Sequence, residues 1–230
     1  MYEIPKFNIT IIGLGGIGSI LCEKVSRFLN FNKDVETELT LIDGDSFEHK
    51  NLERQDFISF GNKAHSKEKE LLLKFKRIQI YALNQYIDED TVSDLIHDRD
   101  IVLLAVDNHK TRMIVSDHCK TLNNVILISG GNEYVDGNVQ LYIRKGGEDL
   151  TPDLCAYHPE IQTPEDKLPE EMSCKELANS DPQLYFTNLT VATIMCWMFY
   201  NAVIKDEYTK SEVYFDMSTM SLDSKVRRVK

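Results

Sequence analysis

The sequence predicts an α/β chain: a doubly wound, mostly parallel sheet with helices on both faces and antiparallel strands toward its C-terminal side. Three observations predict it. Short β-branched runs alternate with segments of helical period through residue 130, which is the pattern of successive βαβ units. The first run passes directly into a glycine-rich turn and then a helix. Two of the runs end on an aspartate, Asp43 and Asp107, and in open sheets of this kind ligands bind outside the carboxyl ends of the strands.

Taken in order, residues 8–12 (NITII) have the unbroken apolar character of a strand buried on both faces. The turn Gly13-Leu-Gly15-Gly16-Ile-Gly18 follows, and Ile17, Ile20, Leu21, Val25 and Phe28 then fall at helical spacing, one buried stripe within residues 17–29. Residues 38–42 (ELTLI) form the second strand. Residues 63–75 are helical by composition and charge pattern, 78–83 (IQIYAL) form the third strand, and 91–96 a short helix. Residues 101–105 (IVLLA) are the clearest buried strand of the chain; a helix over 110–122 and strands at 125–129 and 138–143 follow.

The texture changes after Gly146. Residues 147–181 carry Pro152, Pro159, Pro164 and Pro169 among many acidic residues with little periodicity, a long crossover loop of the kind usually kept for function. Beyond it, residues 182–204 are uncharged and apolar, and 212–215 and 222–229 read as closing strands. The uncharged stretch is long enough to cross a bilayer, but Asn188, Asn201 and three threonines would be costly in hydrocarbon. A helix buried on most faces, in a core or a subunit interface, is the preferred expectation.

Composition narrows the function. The 230 residues hold 26 Lys and Arg against 37 Asp and Glu, a net charge of −11. That excess of acid argues against nucleic acid as a partner, since phosphate binding needs clustered cations. Any phosphate site is therefore local. The 5 cysteines form no C-x-x-C pair, and the chain opens without an export signal, so a reducing, cytoplasmic setting and a single domain over residues 1–230 are expected.

The turn Gly13-x-Gly15-x-x-Gly18 sits between a strand and a helix, where glycines let the backbone approach a phosphate held at a positive helix terminus. Asp43 closes the next strand 25 residues after the last of them, the place of an acid that holds ribose hydroxyls. The segment that follows contains Asp45, Asn51, Arg54 and Gln55, with Lys63 a little further on. A nicotinamide-dependent oxidoreductase has no use for those cations. Attack on the α-phosphate of ATP does: Arg54 and Lys63 can neutralise charge building on the α-phosphoryl oxygens and the leaving pyrophosphate while Asn51 fixes the triphosphate. Asp107 is placed to hold Mg²⁺. Each residue also has a bland reading: a solvated Arg54, a Lys63 that merely starts a helix, an Asp107 that merely caps one.

G-L-G-G-I-G, D-G-D-x(5)-N-L-x-R-Q, G-N-K-A at residues 61–64 and V-D-N-x-x-x-R at 106–112 together resemble the ThiF/MoeB/HesA superfamily, the ubiquitin-activating-type adenylyltransferases, over nearly the whole chain. The resemblance implies a Rossmann-like fold. It places ribose on Asp43 with Asp45 beside the site, and the nucleotide on Asn51, Arg54, Gln55, Lys63, Asp107 and Asn108. It also implies ATP-dependent adenylation of the C-terminal glycine of a ubiquitin-like or sulfur-carrier protein, in a homodimer. The segment from Ser173 to Ala192 is similar to the PRTRC-type ThiF proteins, which are encoded beside a ubiquitin-like protein and a conjugating-enzyme homologue, here the expected partners.

Cys174 stands where members of the family place the thiol that accepts the activated carboxylate, and a thiolate suits that transfer. Cys155, spaced C-x-x-H with His158, is the rival; a zinc site would need a second close pair, and none is expected. The chain departs from the family in lacking paired C-x-x-C motifs and the amino-terminal R-Y-x-R-Q arginine, and in carrying Lys50 where a serine usually stands. A sulfur-carrier activator that stops at the adenylate, a nicotinamide oxidoreductase and a non-catalytic binding half remain the alternatives.

Overall fold

The structure is a computed structural model that describes residues 6–52, 55, 57–168 and 184–229. A parallel core of strands comes first: β1 (Lys6–Ile12), β2 (Glu36–Ile42), β5 (Gln79–Leu83), β6 (Ile101–Leu104) and β7 (Val125–Asn132). Against β7 the sheet turns antiparallel, through β8 (Asp136–Lys145), β10 (Glu212–Asp216) and β11 (Ser221–Lys225), giving the order β11-β10-β8-β7-β6-β1-β2-β5. A small strand β9 (Glu148–Asp149) pairs with β8. The doubly wound, mostly parallel sheet with an antiparallel C-terminal side is as expected, and β1 is the middle one of the five parallel strands, between β2 and β6.

Alternation along the strands divides the core in two. Ile9, Ile11, Leu39, Leu41, Leu103 and Leu141 face α1 (Gly16–Phe31), α2 (Lys63–Lys74) and α6 (Tyr185–Phe199). Ile12, Ile42, Val102, Leu104, Leu127 and Tyr142 face α3 (Val92–Leu95), α4 (His109–Cys119) and the crossover helix α5 (Pro159–Gln162). Each such side chain taken wholly from water stabilises the fold by about 1.5–3 kcal/mol, so both layers are held by burial and the strand ends are free to carry polar groups.

Four details differ from expectation. The segment after Asp43 is not featureless: β3 (Ser46–Phe47) pairs with β4 (Gly61–Asn62) around a short 3₁₀ turn at His49–Asn51. The crossover segment contains β9 and α5, because Tyr142 and Leu154 offer it an apolar bed. The last strand spans Ser221–Lys225 rather than 222–229, its register fixed by pairing with β10. Finally, α6 is half buried rather than buried on most faces. By length and composition the helix Tyr185–Ile204, which ends in a π turn, could cross a membrane. Here it packs on α1, β7 and β8 through Val191, Ala192, Ile194, Met195 and Met198, and leaves Phe186, Thr193, Trp197 and Tyr200 exposed.

Candidate nucleotide and acyl-transfer site

The glycine turn between β1 and α1 is dictated by contacts at three of its glycines. Gly13 has φ +82°, and a Cβ there would stand 2.8 Å from the carbonyl oxygen of Ala105 on the next strand. A Cβ on Gly18 would lie 1.8 Å from the oxygen of Gly13, and one on Gly16 would lie 2.1 Å from Nδ2 of Asn188 on α6. Gly15 is different. Its Cβ would meet nothing nearer than Gln55 Nε2 at 3.9 Å, so its surface stays open at the N-terminus of α1, where no side chain caps the helix and no acid occupies the first turn. An uncapped, open helix N-terminus is a cradle for an anion.

Asp43, at the end of β2, ties this turn down. Its Oδ2 accepts the Leu14 N–H at 2.5 Å and its Oδ1 accepts the Asp45 N–H at 2.8 Å. Burial pushes its carboxyl pKa up, and Lys63 restrains the rise. Lys63 opens α2, with Asn62 as the cap whose Oδ1 accepts the His65 N–H. The Asn62 amide also donates to the backbone oxygens of Asp43 at 2.8 Å and Asp45 at 3.0 Å, which explains why asparagine precedes the lysine. The ammonium of Lys63, only 6% exposed, lies 2.8 Å from Asp45 Oδ2. Burial works to lower its pKa, but Asp43, Asp45 and Asp107 together outweigh it and hold the lysine protonated above its usual value. Lys63 does start a helix, as the bland reading had it, and it is also a buried cation among three carboxylates.

The remaining side chains converge on one cleft of about 1420 Å³. Asn51 is buried at the end of the 3₁₀ turn, its Oδ1 accepting the Glu48 N–H, and Gln55 is buried with Oε1 left without a partner. Asp107, three residues beyond β6, is exposed to the cleft, with no hydrogen bond from its side chain among the described residues. The cap of α4 is Asn108, whose Oδ1 accepts the Thr111 N–H at 2.8 Å, so Asp107 is not needed for that duty. A hard, exposed carboxylate beside a nucleotide cradle suits Mg²⁺, which takes one or two carboxylates together with phosphate oxygens. Gly13, Gly15, Gly16, Gly18, Asp43, Asp45, Asn51, Gln55, Lys63, Asp107 and Asn108 are thus brought to one sheet edge. Arg54 and Cys174 lie outside the described residues.

Arg112, the arginine of the V-D-N-x-x-x-R run, spends its guanidinium inside the fold. It is buried, donating to Ser129 Oγ at 2.9 Å and to the backbone oxygens of Val106 at 2.6 Å and Gly130 at 3.0 Å. It braces the loop that carries Asp107. Cys155 fares poorly as a nucleophile, because burial pushes its thiol up to about 11. Nor does it pair with His158: the imidazole faces Glu160 through Nδ1 at 2.7 Å and Glu212 through Nε2. Among the described residues no cluster of His, Cys, Asp and Glu is arranged to hold a metal by itself.

Two contributors escaped the sequence reading. Tyr86 donates its hydroxyl to Asp45 Oδ1 at 2.5 Å, and Gly44 lacks a Cβ because that atom would lie 2.7 Å from the Tyr86 ring. Asp166, in the crossover segment, accepts the N–H of His109 and that of Lys110 at 3.0 Å, and so pins the segment to the first turn of α4 beside Asp107. The glycine of D-G-D was the one available signal for an aromatic neighbour; nothing local marked Asp166.

A profile of the ThiF family matches residues 1–230, and the chain belongs to that family. Over 171 residues it is 26% identical to a probable molybdopterin-synthase adenylyltransferase of Porphyra purpurea, covering 71% of this chain and 42% of that protein. It is 30% identical over 140 residues to a tRNA threonylcarbamoyladenosine dehydratase of Haemophilus influenzae, covering 58% of this chain and 51% of that one. The chain therefore spans about half the length of these relatives. Among solved structures, E. coli MccB with ATP superposes with a TM-score of 0.74 at 19% identity, over 97% of this chain and 64% of that one. PaaA superposes with a TM-score of 0.72 at 14% identity, over 96% and 64%. Likeness at that identity speaks for the fold.

Proposed function

From its membership of the ThiF family and the chemistry of the cleft, we propose that this chain adenylates the carboxyl-terminal glycine of a ubiquitin-like protein, with ATP as the second substrate. A carboxylate oxygen of the glycine attacks the α-phosphorus, the bond from that phosphorus to the bridging oxygen breaks, and pyrophosphate leaves with the electron pair. One observation carries the reading: a buried, protonated Lys63 stands beside an open glycine cradle, held there by Asp43 and Asp45. A nucleotide site for hydride transfer needs no such cation, whereas charge accumulating on pyrophosphate does.

Within this reading Asp43 takes the ribose while it holds the Leu14 and Asp45 N–H groups. Gln55 offers its unpartnered oxygen to a donor on the nucleotide, and Arg54, beyond the described residues, joins Lys63 on the phosphates. Mg²⁺, when bound through Asp107, supplies charge neutralisation at the phosphate oxygens. That MccB has been solved with ATP, and with AMPCPP and MccA together, supports ATP and a second, non-nucleotide substrate in a fold of this kind. A relative in Drosophila grimshawi, 28% identical over 144 residues, is named adenylyltransferase and sulfurtransferase MOCS3, which supports the adenylation step.

Cys174 then receives the acyl group: its thiolate attacks the carbonyl carbon of the acyl-adenylate and AMP departs, leaving a thioester for a conjugating-enzyme homologue. The exposed Phe186, Trp197 and Tyr200 on α6 are read as the meeting surface of two subunits. The test is ATP–pyrophosphate exchange in the presence of a ubiquitin-like protein with a free C-terminal glycine. Exchange is expected to require that protein and to collapse in Asp107→Ala and Arg54→Ala; exchange that persisted in either variant would overturn the assignment. Cys174→Ser should spare exchange and abolish a thiol-sensitive adduct, and an adduct that survived would remove the thioester step.

A further inference from the structure

One buried cation lies outside the cleft. Lys67, on α2, is 1% exposed, and its ammonium stands 2.7 Å from Oε2 of Glu70, itself buried. Ion pairs on an exposed helix face contribute little, and a buried pair is commonly no more stabilising than apolar side chains of the same volume. Stability therefore gives no reason for the pair. Nor does Glu70 depend on Lys67, because its other oxygen, Oε1, accepts the Lys74 ammonium at 2.6 Å. The Lys74 side chain is 42% exposed, so it neutralises the carboxylate from the solvent side without a second charge having to be buried.

What distinguishes Lys67 is the ring it touches. Its ammonium stands 4.8 Å from the centroid of the Phe57 ring, close enough for a cation to be drawn to an aromatic face, and more strongly so where water is excluded. Phe57 is buried and stacks on Phe47 of β3 with centroids 4.6 Å apart. It follows Arg54 and Gln55 in the stretch 52–60, which joins the 3₁₀ turn to β4. The far end of that stretch is tied by Ser66, whose Oγ donates to Ser59 O at 2.8 Å, and the near end by the Gln55 N–H, which donates to Asn51 O at 2.9 Å. Between the two ties Phe57 is the buried apolar anchor among the described residues. Lys63 and Lys67, one helical turn apart, share a side of α2. The first enters the cleft, and the second meets the loop that carries Gln55.

We infer that Lys67 is a positioning residue for the nucleotide chemistry: its buried charge, acting through Phe57, fixes the loop that carries Asn51, Arg54 and Gln55. The inference rests on the adenylation reading above, which gives those three residues their work. Lys67 itself lies outside the lining of the cleft. An apolar side chain of the same length would fill its space but would not orient the ring. Removing the charge therefore loosens the loop more than it unsettles the fold, and a small misplacement of groups that neutralise a developing anion is enough to slow the chemistry.

The test uses the full chain with Lys67→Met, Lys67→Arg, Phe57→Leu, Lys74→Met and the Lys67→Met, Phe57→Leu double variant. Each is read by the kinetics of ATP–pyrophosphate exchange, by thermal melting and by amide hydrogen exchange over residues 55–62. Lys67→Met and Phe57→Leu are each expected to lower kcat about tenfold and to speed amide exchange in the loop, with the melting temperature within a few degrees of the parent. Arginine keeps the charge and stacks on rings, so Lys67→Arg should hold kcat within about threefold of the parent. The double variant should be about as slow as either single one, because both remove the same contact. Lys74→Met, which strips Glu70 of its outer partner, should leave kcat unchanged. A parent-like kcat in Lys67→Met overturns the inference, as do single losses that multiply in the double variant, or an equal loss in Lys74→Met, which would assign the effect to Glu70. If Lys67→Met does not fold, Phe57→Leu against Lys74→Met makes the same comparison. A parent protein without pyrophosphate exchange strikes the adenylation reading instead. Faster amide exchange in Lys67→Met but not in Lys67→Arg then still upholds the positioning of the loop, and identical amide exchange in the two removes it.

Discussion

Lys63→Met is the substitution that probes the site most directly. It removes a buried ammonium that acts on Asp43, Asp45 and Asp107 together, while methionine fills much the same space. Breaking a buried ion pair by deleting one partner costs about 3–5 kcal/mol, but the Asp45 side chain is 44% exposed, so water recovers part of that; about 2 kcal/mol is the expected loss. For a chain of this size the melting temperature should then fall by about 4–8 °C. The loss carries a pH signature. Burial already raises the Asp43 pKa in the folded state and Lys63 restrains it, so without Lys63 the folded carboxyl holds its proton more tightly than the unfolded one. Stability contributed by such a group is lost as pH rises through its folded pKa. The deficit of Lys63→Met against the parent protein should therefore be larger at pH 7 than at pH 5, read by calorimetric melting in matched buffers. Pyrophosphate exchange, in turn, should fall by about 10²–10³, the usual consequence of removing one preorganised charge from a developing anion. Exchange within threefold of the parent, or a stability deficit that ignores pH, would refute the argument.

Three further outcomes are expected. Gly13→Ala should destabilise by more than about 2 kcal/mol, since φ +82° and a Cβ 2.8 Å from the Ala105 oxygen act together; Gly15→Ala, facing open space, should leave the melting temperature within a few degrees and weaken ATP binding. Thermal melting and equilibrium dialysis separate the two, and equal stability losses would contradict the division of labour between these glycines. Asn188→Leu should raise stability by about 1–3 kcal/mol, because both amide atoms of the fully buried Asn188 are unpartnered; a lower urea midpoint would mean that the amide is satisfied after all. The clasp of His158 on Glu212 should give a stability plateau. Burial opposes charge on His158, but Glu212 and Glu160 prevail and raise its pKa, while His158, Tyr214 and Arg227 bring Glu212 down to about 2 against its own burial. The histidine contribution is complete below about 6.5 and fades as pH rises through its raised value; the glutamate contribution is complete above about 4.5 and fades on acidification. Glu212→Gln should flatten both limbs of a melting temperature measured against pH, and an unchanged profile would dismiss the clasp.

What the amino-acid sequence determined by itself was whatever is written in local periodicity and backbone stereochemistry. The strand run before Gly13, the glycine spacing that demands close approach, and the aspartates that follow β2 and β6 all express preferences that act within a few residues, so the parallel core and the sheet edge where these residues gather could be read directly. Only the tertiary structure decided the long-range pairings. Tyr86 reaches Asp45 across 41 residues, Asp166 reaches the first turn of α4 across 57 from His109, and Arg112, cationic and near the motif, turns inward to brace Gly130. Asp136 meets Asp216 only because β8 and β10 pair in one register, and a shift of a single residue would turn each side chain to the other face. Strand register and burial belong to the assembled sheet, which is why the edge that gathers the glycines and aspartates was visible in the sequence and the facing carboxylates of β8 and β10 were not.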